Sequence, residues 1–156
     1  MILWGIVGRK DMGKTTLTAA LVREMSARGL IVSTLKHTHH AIDLEVEGTD
    51  THRHREAGAR QVVLASSARI TVMEERGAEV SILDALTRLS PCDVVLAEGW
   101  KAGWHPRVEV WRDIGKPPLA AEDPAIAAIA TDAPCDVDCP VLDLDDVAGI
   151  ADWMLR

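Results

Sequence analysis

Residues 1–7, MILWGIV, are almost uninterrupted apolar positions closed by Gly8, which is how a strand covered on both faces reads in the middle of a parallel sheet. A polar, glycine-bearing stretch follows. From Lys14 to Arg28 the apolar residues Leu17, Ala20, Leu21 and Met25 recur at helical spacing, and Gly29 stands where a C-terminal cap belongs. Residues 30–35, LIVSTL, are rich in β-formers and complete a strand–helix–strand unit whose crossover is expected to be right-handed. Downstream the elements shorten. Residues 50–57 predict a short helix ended by Gly58, residues 61–65 and 70–73 predict two strands around a serine-rich turn, and residues 80–89 predict another helix. The run 93–97, DVVLA, reads as a buried strand, 107–111 alternates as a half-exposed one, 125–131 is the last core strand, and 145–155 a closing helix. This alternation of strands and helices predicts an α/β fold, a mostly parallel sheet flanked by helices with one antiparallel excursion. No repeat, low-complexity tract or linker interrupts it, so residues 1–156 are expected to form a single domain.

Composition narrows the class. At 156 residues and 47% hydrophobic the chain buries a real core, and a net charge of -7 argues against bare nucleic acid as the main partner, because that binding rests on a basic face. Any phosphate chemistry is therefore local. No apolar run approaches the roughly 20 residues of a membrane span. The three cysteines, Cys92, Cys135 and Cys139, without a cationic and apolar leader, fit a reducing cytoplasm. Cys135 and Cys139 stand at the wrong spacing for a redox pair and have no second pair to complete a metal site, so they are expected to be ordinary small buried or loop thiols.

Gly8-Arg9-Lys10-Asp11-Met12-Gly13-Lys14-Thr15 matches G-x-x-x-x-G-K-[ST] between a predicted buried strand and a predicted helix, the context in which such a loop cradles phosphate. Its glycines let successive N–H groups turn inward, and the helix adds its positive end to the same anion site. Lys14 is expected along the β and γ phosphates and Thr15 on Mg²⁺, with Thr16 facing the α-phosphate or packing. A plain tight turn would need neither the Lys-Thr pair nor two glycines at this spacing. Magnesium also calls for a carboxylate at the carboxyl end of a neighbouring strand, and Glu98, after Val94-Val95-Leu96-Ala97, is the first candidate. Asp43, in the loop after the second strand, is a second candidate that reaches the metal through water, with a turn or cap role as its alternative.

Five of the six histidines fall in two short stretches, Lys36-His37-Thr38-His39-His40 and His52-Arg53-His54-Arg55. Three readings stay open: a metal site, although no spacing resembles a compact zinc module; an anion site in which Lys36, Arg53 and Arg55 surround a phosphorylated substrate; or a solvated loop. Trp100 and Trp104 flank Lys101 just after Glu98-Gly99, where they either stack on a ligand or partner or pack on the sheet edge.

Taken together, the phosphate loop, Lys36-His37-x-His39-His40, Asp43, Gly48-x-Asp50-x-x-Arg53-His54-Arg55-x-Ala57-Gly58-Ala59, Glu98-Gly99-Trp100-Lys101, Arg107-Val108-Glu109-Val110-Trp111-Arg112 and Ala130-Thr131-Asp132 resemble the MobB family of molybdopterin-guanine dinucleotide biosynthesis, in order and over nearly the whole chain. The resemblance implies a P-loop NTPase-like fold that binds GTP with Mg²⁺ and hydrolyses it weakly. It implies a homodimer that assists the MobA nucleotidyltransferase joining GMP to molybdopterin. In the mechanism expected of such a protein, the anionic pterin or its diphosphate lies near Arg53 and Arg55, with molybdopterin or molybdopterin-guanine dinucleotide as the partner molecule. Arg9 lies where relatives with a deviant phosphate loop carry a lysine that reaches across a dimer. The N-K-x-D tetrad that reads guanine in Ras-like proteins is absent, which leaves Asp132 and Lys116-Pro117-Pro118 as candidates for base contact. Outside this reading stand a nickel- or zinc-handling metallochaperone GTPase using the histidine segment, and a small-molecule kinase or ligase on the same fold.

Overall fold

The computed structural model describes residues 1–38 and 42–156. In chain order its elements are β1 (Ile2–Val7), α1 (Lys14–Ala27), β2 (Val32–Lys36), α2 (Asp50–Glu56), β3 (Gln61–Ala65), β4 (Ile70–Glu74), α3 (Ile82–Leu86), β5 (Val94–Glu98), β6 (Arg107–Trp111), a single 3-10 turn (Leu119–Ala121), β7 (Ile126–Thr131), β8 (Val141–Asp143) and α4 (Val147–Met154). They fall into two compact units, residues 1–38 with 82–156, and residues 39–81.

In the larger unit six strands form one sheet in the order β2-β5-β1-β6-β7-β8. Every pairing in it is parallel. The chain leaves β1 toward β2 on one side and later builds β6, β7 and β8 on the other, so strand order reverses beside β1. That reversal opens a crevice at the carboxyl end of β1, where open parallel sheets bind ligands. One face is covered by α1 and α4: Ile6, Leu96, Val108, Val110 and Ala130 from the strands pack with Leu17, Leu21, Met25, Ile150 and Met154 from the helices. Asp146 caps α4 through the Gly149 N–H at 2.9 Å, and the Trp4 indole N–H donates to the Met154 carbonyl at 2.8 Å, tying the end of α4 to β1.

Two expectations need correction. Strand β6 is not half-exposed, since all five of its residues are buried. The polar positions of its alternation, Arg107 and Glu109, are covered by chain that the local pattern does not reveal: Arg107 holds Asp123 at 3.0 Å, and Glu109 accepts the Leu119 and Ala120 N–H groups at 2.8 and 2.9 Å. Strand β7 is the last core strand, but the sheet does not end with it, because the more exposed β8 adds a further parallel edge. Its three residues are too few to show a period. The helix expected over 80–89 forms only at Ile82–Leu86, where Ile82 and Ala85 find burial.

The smaller unit carries the antiparallel excursion. Here β3 and β4 pair with Val63 opposite Val72, and α2 precedes them. None of the seven residues of α2 is buried.

Candidate functional site

The phosphate-loop motif lies where the crevice opens. Hydrophobic β1 ends at Val7 and α1 begins at Lys14, so residues 8–13 turn between them. Gly8 has φ of +142°, and a Cβ there would run into the Val110 carbonyl of neighbouring β6. Only glycine lets the chain leave the sheet at this place. Asp11, at φ of 62°, has the left-handed backbone that is rare outside glycine and concentrates at functional turns. The Met12 side chain is buried in the hydrophobic core and anchors the loop. A cleft of about 440 Å³ opens against the loop, lined by Lys10, Asp11, Gly13, Lys14, Thr15, Thr16, Lys36 and Glu98. That is the scale of small-ligand sites.

Lys14 curls back so that its ammonium donates to the Arg9 carbonyl at 2.5 Å. Partial burial pulls its pKa below the ordinary lysine value, with Glu98 opposing the shift. A phosphate entering the cleft would replace the carbonyl as its partner and favour the charged form.

Glu98 ends β5 in register with Lys36 of β2 and beside Ile6 of β1. Its carboxylate is nearly buried, and one oxygen accepts from the Thr15 hydroxyl at 2.7 Å and from the Lys36 ammonium at 2.5 Å. The two residues expected to hold Mg²⁺ are thus brought together from α1 and β5. Hard oxygen donors with room for phosphate oxygens and water suit that ion. Lys36, which is 59% exposed, supplies a cation at the same oxygen. Sequence reading assigned Lys36 to anion binding; what it missed is that the C-terminal residues of β2 and β5 lie side by side.

On the other flank of the loop, the Arg9 guanidinium donates to the Pro117 carbonyl at 3.3 Å, and the Trp111 indole holds the Lys116 carbonyl at 3.0 Å. Lys116 and Pro117 are therefore tethered near the phosphate loop. Arg112 follows β6, pairs with Asp132 after β7, and lies against Gly13. In the sequence Arg112 stands only within a stretch that resembles the family. Its signal was its place, the first residue past a buried strand.

In the smaller unit, the Arg55 guanidinium is shared among Glu45 at 2.6 Å, Glu75 at 3.2 Å and Asp43. Those carboxylates, Asp43 foremost, raise its pKa above the ordinary value. Asp43 also accepts the Glu45 N–H at 2.9 Å, and this bond, together with Arg55, lowers its pKa. Asp43 therefore shapes its own loop, and Arg55 is engaged by acidic side chains. Arg53 is exposed on α2. His37 stacks on Trp100 with ring centroids 4.8 Å apart, His52 accepts the Gly48 N–H at 3.4 Å, and His39 and His40 lie outside the described residues. Among the described residues no three His, Cys, Asp or Glu side chains cluster as a metal site. Trp100 is packed, whereas Trp104 stays 69% exposed. Cys135 and Cys139 are free, half-exposed thiols whose pKa values burial raises. No helix among the described residues is long and apolar enough to cross a membrane.

A phosphate loop leaving the central strand of a parallel sheet at its switch point, with a buried carboxylate on the next strand, defines a P-loop NTPase-like fold. Two solved structures share it over 99% of this chain: a MobB protein homolog from Bacillus stearothermophilus (TM-score 0.75, 25% identity, 96% of that chain) and a molybdopterin-guanine biosynthesis protein B (TM-score 0.76, 26% identity, 98% of that chain). Residues 3–132 match the family model described as Molybdopterin guanine dinucleotide synthesis protein B. The chain belongs to the MobB family. It is similar to the molybdopterin-guanine dinucleotide biosynthesis adapter proteins of Haemophilus influenzae (38% identity over 97% of this chain and 86% of the relative) and Escherichia coli (34% identity over 92% and 86%).

Proposed function

We infer that this protein is an adapter in molybdopterin-guanine dinucleotide biosynthesis that binds GTP, hydrolyses it slowly and assists a MobA-type nucleotidyltransferase in joining GMP to molybdopterin. The observation that carries the reading is the cleft against the loop, where Lys14 and the Thr15–Glu98 pair come together at the sheet's switch point. Family membership and the relatives' names supply the pathway. In this reading the backbone of residues 8–16 and Lys14 hold the phosphates, while Thr15 and Glu98 hold Mg²⁺. The ion would screen charge on the phosphates as the terminal one departs. Arg53, exposed on α2, faces the anionic pterin. The chain acts as one domain in the cytoplasm, as a homodimer.

Slow turnover follows from what lines the cleft. Its carboxylates are Asp11, on the loop itself, and Glu98, whose oxygen is held by Thr15 and Lys36. The Glu98 carboxylate is therefore not a free base, and phosphoryl transfer to water needs one placed in line. Turnover by the protein alone is expected well below about 10 per second.

The test is co-purification with the nucleotidyltransferase, and stimulation of its GMP transfer, in the presence of GTP and molybdopterin. Lys14→Ala is the control, expected to weaken GTP about tenfold or more by removing charge-assisted contacts. A nucleotidyltransferase that neither binds the protein nor speeds up with it would end the adapter reading. Unchanged GTP affinity in Lys14→Ala would move the phosphate site elsewhere.

A further inference from the structure

We propose that Arg112 is a second phosphate-binding cation of this cleft, kept in reserve by Asp132 and released to the ligand when a polyphosphate enters. The proposal rests on the reading of residues 8–16 as a nucleotide cradle and adds to it a residue and a mode of regulation.

Arg112 and Asp132 are the first residues beyond β6 and β7, and these strands pair with Trp111 opposite Thr131. Both side chains therefore leave the carboxyl edge of the sheet from adjacent strands, and there the Arg112 guanidinium donates to the Asp132 carboxylate. The same guanidinium reaches the phosphate loop: its Nε lies 3.9 Å from where a Cβ on Gly13 would stand. Gly13 is the residue from which α1 starts, so the guanidinium sits alongside the turn whose amides would receive phosphate.

The ion pair is easily exchanged. Arg112 is 43% exposed and Asp132 36%, so water screens their attraction and competes for both partners. A phosphate offers a planar guanidinium two parallel acceptors and more negative charge than one carboxylate, which makes it the preferred partner once present. Of the three lysines that line the cleft, Lys36 is held by Glu98, and Lys14 donates to the Arg9 carbonyl until a phosphate takes its place. Arg112 is thus a cation whose present partner costs little to leave. The function of Asp132 in this arrangement is to hold the guanidinium beside the loop.

Isothermal titration of the full chain with GTP, ATP and inorganic tripolyphosphate tests this, using Arg112→Ala, Arg112→Lys, Asp132→Asn and the double variant. The expected results are a loss of about tenfold for all three ligands in Arg112→Ala, with part of it restored by Arg112→Lys. Asp132→Asn is expected to tighten all three by a few-fold, because the guanidinium is freed. In the double variant the Asp132 change has no further effect. A merely structural pair would move urea midpoints and leave the three affinities alone, which overturns the proposal. A loss confined to GTP in Asp132→Asn overturns it too, since Asp132 would then read the base instead of restraining Arg112. If Arg112→Ala binds normally while Lys14→Ala loses affinity, this inference alone fails; if both bind normally, the cradle reading falls with it.

Discussion

Replacing Glu98 by Gln separates the metal role proposed for this side chain from its structural one. The carboxylate is 5% exposed and one of its oxygens accepts from both Thr15 and Lys36. Glutamine keeps the size and an oxygen for the Thr15 hydroxyl, so the hydrogen bond at 2.7 Å has a counterpart. What is lost is the attraction to Lys36, and that ammonium is 59% exposed, so solvent screening limits the pair to about 0–1 kcal/mol. Against that loss stands the relief of no longer burying a charge. Folding stability should therefore change by less than about 1 kcal/mol. The proposed Mg²⁺ site is expected to respond differently, because a neutral amide would replace a charged ligand. A charge-assisted contact is worth about 1.5–3 kcal/mol, which is about 10- to 150-fold in the Mg²⁺-dependent affinity for GTP. Titrating GTP at a series of Mg²⁺ concentrations, with urea unfolding followed by circular dichroism on the same samples, measures both quantities. Equal Mg²⁺-dependent affinity in the variant and the parent would refute the assignment of Glu98 as a metal ligand. A large loss of stability would refute the reasoning about its screened partner.

Gly8→Ala forces a Cβ toward the Val110 carbonyl at a backbone angle that L residues avoid, so a loss of about 1–3 kcal/mol is expected, read from urea midpoints. A midpoint equal to the parent's would show that the loop can relax without cost. His105 is fully buried, and burial, then Arg107, lowers its pKa, with an approach to the Trp100 backbone opposing only in part. Above the unfolded-state value of 6.5 both states carry a neutral ring and the group is silent. As pH falls through that value the unfolded chain takes up a proton that the folded chain refuses, so stability drops until the lower folded pKa is passed. His105→Asn should remove this part of the slope between neutral and acidic pH in urea titrations, and parallel slopes for variant and parent would count against it.

The phosphate loop and its setting were legible in the sequence because both signals are local. A strand buried on both faces must be apolar throughout, and the turn after it needs its glycines whatever surrounds it. Helix α1 announced itself through Leu17, Leu21 and Met25, all three of which the fold buries. The MobB resemblance likewise rested on short, ordered motifs, and the family match over residues 3–132 agrees with it.

Other features were settled only by tertiary structure. Strand β6 alternates polar and apolar residues as if one side met water, yet Arg107 and Glu109 are buried because Asp123 and the backbone at Leu119 and Ala120 satisfy them from 10–16 residues away. Lys36 and Glu98 are 62 residues apart, and only the placement of β2 against β5 brings their charges together. The meeting of Arg112 with Asp132 likewise depends on β6 and β7 being neighbours. A short window of sequence determines which backbone a segment favours and which side of it is apolar. Which charged groups then face one another depends on strand order, and strand order is decided by the packing of the whole sheet.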